Sequence, residues 1–204
     1  MPKELYFKID EEKRDRIYQA AFQEFSNNKF NEASINQIVK NSDISRGSFY
    51  QYFEDKQDIY FYILDTILEK ETYSYIEDLL QMENNVFDIF KKLLKFNLDL
   101  ISTSKYSDFF EKLYLSLDYE ISHHLNKKIN QIKAEMLQYK SENIFKKTVY
   151  KNKQHIRELI NLLQMINKDL ICRKVFENID DKNIMRVYDI RIEILKQNNE
   201  VRYM

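Results

Sequence analysis

Apolar positions along the chain recur at helical spacing in short blocks separated by polar breaks. Ile17, Ala20, Ala21 and Phe25 follow one another by three or four residues, as on one face of an α-helix. Asp10 precedes them as an N-cap, with Glu11 and Glu12 at the positive end of the helix dipole, and Asn27-Asn28 ends the pattern. Ser34-Ile35-Asn36-Gln37 has the capping-box form and opens a short helix with Ile35, Ile38 and Val39 inward, ending near Asn41. Ser42-Asp43-Ile44 must turn the chain, because Ser45 restarts a helix that places Phe49 and Phe53 on one face. Asp55 then caps a longer helix holding Ile59, Ile63, Ile67 and Leu68, continuing beyond Tyr75. The pattern predicts further helices near 85–102, 106–118, 120–140, 154–178 and 181–198. Residues 1–9 form a short leader.

Composition sharpens this to an all-α chain. Its 204 residues include one glycine, Gly47, and one proline, Pro2, whereas sheets use such residues at hairpins, bulges and edges. One glycine also excludes the glycine-rich phosphate loops of nucleotide-binding enzymes, which need at least two. With 32 basic and 33 acidic residues, no bulk charge attracts nucleic acid or membrane, so any such partner must be held by a local patch. The single cysteine, Cys172, excludes an internal disulfide framework. With no signal-peptide pattern and no apolar run of membrane-spanning length, a cytoplasmic protein without membrane contact is expected. Ser102 and Lys105 have an S-x-x-K spacing without the accompanying K-T-G. Glu120 and His124 share a helix face but lack a second ligand cluster. No catalytic residue, metal or cofactor is expected.

Two short helices joined by a tight turn are the form of a helix-turn-helix DNA reader. Arg46 and Gln51 are side chains able to make paired hydrogen bonds to guanine and adenine edges. Ser45 stands at a helix N-terminus, and Gly47 lets backbone come close to DNA. Tyr50, Tyr52 and Lys56 carry groups suited to phosphate oxygens. The segments Lys13 to Phe22, Ser34 to Ile38 and Ile44 to Lys56 together resemble the N-terminal domain of the TetR family of transcriptional regulators. Ser45 to Lys56 matches the family pattern S-x-G-x-[LFI]-Y-x-[YH]-F-x-[SDN]-K at every specified position. The resemblance implies a three-helix DNA-binding domain at 10–56, followed by a larger helical ligand-binding and dimerisation domain at 57–204. It further implies base reading by Arg46, Gly47, Ser48 and Gln51, and backbone contacts from Tyr50, Tyr52 and Lys56. Ser34 and Asn36 on the preceding helix join this set.

The chain departs from the family at two positions. Asp43 and Lys29 stand where glycines are usual, and a left-handed residue without glycine costs roughly 1–2 kcal/mol. Asp tolerates that conformation better than most residues, and Asn28 is a candidate to take it in place of Lys29. Aromatics are dense in the middle helices, and Tyr62, Phe96, Phe110 and Tyr114 are the candidates to line a cavity for a small apolar or aromatic inducer.

The last two helices are apolar over more than one contact requires. Leu159, Leu162, Leu163, Ile166 and Leu170 make one stripe, and Ile184, Val187, Tyr188, Ile194 and Leu195 another. Ile160, Met165, Ile171, Ile190 and Ile192 lie outside them, which predicts a homodimer through these helices. The expected function is a ligand-responsive repressor reading a near-palindromic operator in double-stranded DNA. A helical small-molecule-binding or processing protein, or an adaptor that binds only protein, remains open. Arg46, Tyr50, Gln51 and Lys56 discriminate, since a DNA reader must present them outward on one face.

Overall fold

The computed structural model describes residues 1–82, 85–140 and 152–197, and every regular element among them is helical. In order these are α1 (Glu4–Lys8), α2 (Glu11–Asn27), α3 (Ile35–Asn41), α4 (Arg46–Tyr52) and α5 (Lys56–Ile67). A π-helical segment, Leu68–Tyr73, leads into α6 (Ser74–Met82). Then follow α7 (Val86–Ser102), α8 (Ser107–Leu115), α9 (Tyr119–Lys140), α10 (Lys153–Glu177) and α11 (Asp181–Gln197). The chain divides into two compact units: residues 1–74 with 105–126, and residues 75–104 with 127–204. That division does not coincide with the functional partition expected at residue 56.

In the first unit, α2 is the central element, packed on α3, α5 and α8. Its inward stripe Ile17, Ala20, Ala21 and Phe25 is buried with Ile38, Phe49, Phe53, Ile59, Ile63 and Phe109. Asp10 caps α2 through Oδ1, accepting from the Glu12 and Lys13 N–H groups. The helix ends at Asn28 in extended backbone, φ −129°, and neither Asn28 nor Lys29 is left-handed. The left-handed residue expected there is therefore absent; the chain leaves α2 straight, and nothing at this point needs glycine.

Asp43 does adopt the left-handed conformation, φ 53°, at the turn between α3 and α4. The expected capping box of α3 does not form. Ser34 makes no side-chain cap bond; its N–H donates to the buried Glu24 carboxylate at 2.8 Å, while Gln37 Nε2 donates to Asn41 at 3.0 Å. A carboxylate from α2 has taken over the anchoring that a local serine–glutamine pair would give.

The leader is structured. Tyr6 on α1 is fully buried, its ring 4.8 Å from Phe53, 5.4 Å from Tyr62 and 6.2 Å from Tyr52. Lys3 N–H donates to the Tyr52 carbonyl at 2.8 Å and Lys3 Nζ to the Tyr50 carbonyl at 2.9 Å, so α1 clasps the end of α4.

In the second unit, α7, α10 and α11 pack on one another. Val86, Ile89, Phe90, Leu94 and Leu98 of α7 are buried against this core. The inward stripe of α10 is Ile156, Leu159, Ile160, Leu163, Asn167, Leu170 and Ile171. Asn167 donates to the Phe90 carbonyl at 2.9 Å, and Tyr188 of α11 donates to the Phe87 carbonyl at 2.8 Å. This stripe corrects the expected one. Ile160, Ile171 and Ile192 are core, whereas Leu162 and Ile194 are exposed. The polar Asn167 inside the true stripe hides its period.

Candidate nucleic-acid interface

The α3–turn–α4 segment is fixed from beneath. Ser42 is buried and donates to the Ile38 carbonyl at 2.8 Å, while the Ile44 N–H reaches the Val39 carbonyl at 3.1 Å. Phe49 and Phe53 are fully buried below α4. Ser45 caps α4, its Oγ accepting from the Ser48 N–H at 3.0 Å and lying 2.9 Å from Ser48 Oγ.

Above that base lie the polar side chains. Arg46, Gly47, Tyr50 and Gln51 of α4 are exposed, as are Ser34 and Asn36 at the start of α3; Ser48 is half-buried. Positions 46 and 50, and 47 and 51, are one turn apart, so α4 turns a continuous polar strip outward. Arg46 is not loose within it. One guanidinium nitrogen donates to Asn36 Oδ1 and the other to the Tyr50 hydroxyl at 3.1 Å, with the guanidinium 5.6 Å from the Tyr50 ring. This bridge spans from α4 to α3.

Two residues depart from the expected arrangement. Tyr52 is buried, with its ring against Tyr6 and Lys13 Nζ 5.6 Å above it, because it lies three residues after Phe49 on the inward face. Lys56 is half-buried; its Nζ donates to the Ala33 carbonyl at 2.9 Å and the Asn31 carbonyl at 3.4 Å, over the Phe30 ring at 4.8 Å. Burial lowers its pKa from the ordinary lysine value, with the Glu24 carboxylate acting in the opposite sense. Lys56 thus ties the loop before α3 to the start of α5, with one ammonium proton left over. The clasp by Lys3 gave no periodic signal in the sequence, being one residue reaching two carbonyls.

The first unit also holds a cleft of about 450 Å³. One wall is α2, through Arg14, Tyr18 and Phe22 among others; the facing wall is Tyr62 and Thr66 of α5 with Lys70 of the π segment. Lys105 and Tyr106 line it too. Burial pushes the Tyr18 hydroxyl well above the ordinary tyrosine range, with the Tyr106 and Tyr62 hydroxyls adding to the shift, so it stays a neutral donor. Of the four aromatics expected to line one cavity, Tyr62 alone lines this cleft. Phe110 is buried with its ring edge-on to Phe109, Tyr114 is half-buried on α8, and Phe96 belongs to the second unit, stacked on Tyr75 at 4.3 Å. Tyr62 on α5 and Phe110 and Tyr114 on α8 belong to the first unit, and Phe96 on α7 to the second. His124 Nε2 lies 2.7 Å from Asp65 and its ring stacks on Phe61 at 4.0 Å, so packing occupies it. Among the described residues no His, Cys, Asp and Glu group could hold a metal ion. No described helix is long and apolar enough to cross a membrane.

Comparison with known proteins converges on this segment. Residues 17–63 match the model of the tetR family of bacterial regulatory proteins. The chain is 40% identical over 62 residues to the HTH-type transcriptional regulator HbdR of Aromatoleum sp. (strain CIB), covering 30% of this chain and 27% of HbdR. It is 35% identical over 85 residues to the uncharacterized HTH-type transcriptional regulator YdgC of Bacillus subtilis (strain 168), covering 41% and 43%. The matches thus span less than half of either relative. Likeness of fold extends further. FadR of Bacillus subtilis, solved with stearoyl-CoA, superposes with a TM-score of 0.66 at 14% identity, over 89% of this chain and 96% of that one. The regulator CifR, solved with a 26-bp operator duplex, gives 0.59 at 15% identity, over 86% and 93%. Residues 17–63 thus carry the helix-turn-helix domain of the tetR family of bacterial regulatory proteins, and the likeness to solved structures extends the all-helical fold over most of the chain.

Proposed function

We propose that the chain is a sequence-specific DNA-binding repressor that acts as a homodimer and is released by a small apolar or aromatic molecule. The observation that carries the DNA half is the exposed strip of Arg46, Gly47, Tyr50 and Gln51, with Asn36 beside it. Its centre is a guanidinium braced by an amide and a phenol, with a glutamine amide beside it, the groups that pair with base edges and phosphate oxygens.

Gly47 supports the same reading. A methyl group there would meet nothing nearer than Ser45 Oγ at 3.7 Å, and its backbone φ is not positive. The folded chain has no need of glycine at a helix position where alanine is better by about 1 kcal/mol. The need lies outside the chain, in a surface that approaches the α4 backbone closely.

In this reading Arg46, Gly47, Ser48 and Gln51 face base edges, while Tyr50, Ser45, Ser34 and Asn36 contact phosphate or the bases next to it. Tyr52 contributes as the buried support of α4, and Lys56 as a loop clip whose remaining proton reaches phosphate. The functional domain is then 10–56, with α1 as an added brace and 57–204 carrying ligand response and dimerisation. Dimerisation is assigned to α10 and α11, where Leu162, Met165, Phe176, Ile190 and Ile194 are exposed. A second copy of the chain is the partner that doubles a reading head too small and too nearly neutral to bind tightly alone.

The experiment is selection of an operator from random duplexes, followed by isotherms for the wild type and Arg46→Ala. The expected result is a near-palindromic consensus and a loss of preference at one base pair per half-site. Unchanged affinity and preference for Arg46→Ala would refute the assignment.

A further inference from the structure

The cleft of the first unit has the make-up of a binding site rather than a packing fault. Arg14, Tyr18 and Phe22 recur every four residues along α2, so their side chains share one side of the helix and form one wall of the cleft. Tyr62, Thr66 and Lys70 repeat the same spacing opposite. Lys70 lies in the π-helical segment, a form rare in helices and frequent at functional sites. The walls are aromatic: Tyr18 stands edge-on to Tyr62 at 6.2 Å, and Phe22 edge-on to Tyr106 at 5.8 Å.

Charge is not evenly spread over this lining. Lys70 and Lys105 come from separate elements, and Lys70 has no ion pair among the described residues. Lys105 Nζ lies 4.9 Å from the Tyr106 ring centre. The nearby acid, Glu71, is engaged by the Tyr106 hydroxyl at 3.1 Å. On the α2 wall Asp15 accepts from Gln19 at 3.2 Å, and Glu11 lies in the exposed first turn. The lining holds three cations, Arg14, Lys70 and Lys105, against two acids, Glu11 and Asp15, with the Glu71 charge acting on Lys105. An aromatic-walled cleft with this excess suits an anion attached to an apolar body.

We propose that this cleft binds a small amphipathic carboxylate, its aromatic or short aliphatic body laid along the aromatic lining of Tyr18, Phe22 and Tyr62 and its anionic group at Lys70 and Lys105. Its role as effector site rests on the regulatory reading above, extending the ligand-responsive part from 57–204 onto α2 and adding an anionic group to the apolar or aromatic ligand. Both walls belong to helices that frame the reading head, α2 through Phe25 and α5 through its start at Lys56. An occupant that binds better when the walls are apart favours that state of the head.

Calorimetry on the full chain tests the site with phenylacetate and octanoate as probes, against 2-phenylethanol and 1-octanol as neutral counterparts. The acids are expected to bind roughly tenfold or more tightly than their alcohols. K70M/K105M should lose that preference with an unchanged melting curve, and Thr66→Trp should block acid and alcohol alike. Equal binding of acid and alcohol, a preference retained by K70M/K105M, or no binding of either acid at millimolar concentration overturns the site. A second arm measures the selected operator. Either acid should weaken binding by roughly fivefold or more in the wild type and not in K70M/K105M. An operator indifferent to bound acid overturns the effector role. Failure of the chain to select any operator overturns the regulatory reading instead, while calorimetry still decides the site.

Discussion

Two faces of the molecule are left uncovered, and they are uncovered in opposite ways. The strip on α3 and α4 is polar and held in place by directional bonds: Arg46 to Asn36 and Tyr50, Ser45 to Ser48. The outer side of α10 and α11 carries Leu162, Met165, Phe176, Ile190 and Ile194, which gain free energy simply by leaving water. A directional face discriminates among partners, whereas an apolar face contributes affinity roughly in proportion to area. The DNA-reading function proposed for the chain uses both, and they lie in different units.

The sharpest way to break the contrast is a charge on the apolar face. Ile190→Glu combined with Leu162→Glu places carboxylates on the face proposed to take a second copy of the chain. Sedimentation should then show monomers, and operator affinity should fall by roughly a hundredfold or more, since a buried unpaired charge costs several kcal/mol. Both residues are exposed within the protomer, so its melting should hardly change.

Next in size is the brace beneath the polar face. Tyr6→Ala removes a fully buried ring against Phe53 and Tyr62, and chemical denaturation should show a loss of about 3–5 kcal/mol. Arg46→Ala and Gln51→Ala come after it, at about 1–3 kcal/mol of operator discrimination each with folding untouched. The smallest effect separates fold from function most cleanly. Gly47→Ala should raise stability by up to about 1 kcal/mol, because α4 gains helix propensity, yet weaken operator binding. An alanine variant that binds as well as the wild type would remove the argument built on Gly47.

The same contrast explains what was legible in the sequence. The reading head announced itself because Ser45 to Lys56 is dense in residues whose order is specific, and its inner face, Phe49 and Phe53, keeps a clear helical period. The helices of the second unit were legible as helices, but their inward stripe was misassigned. Asn167 interrupts the apolar period where α10 meets the Phe90 carbonyl, and Leu162 and Ile160 then exchange faces. The leader gave no signal at all, since a five-residue helix with one inward tyrosine has no period to detect. Tyr52 and Lys56 show the limit of motif reading. The motif names both, but only packing reveals that one ring is core and one ammonium is committed to two carbonyls.

The brace on Arg46 bears on how recognition proceeds in time. A free arginine samples many rotamers and gives up roughly 0.5–1.5 kcal/mol when an interface fixes it. With its guanidinium already spanning Asn36 and Tyr50, much of that ordering belongs to folding rather than to binding. In the proposed reading, capture of a guanine by Arg46 is an exchange of acceptors, Asn36 giving way to the base and its amide becoming free for a neighbour. Correct and incorrect sequences should be met at similar rates and told apart by how long the complex lasts.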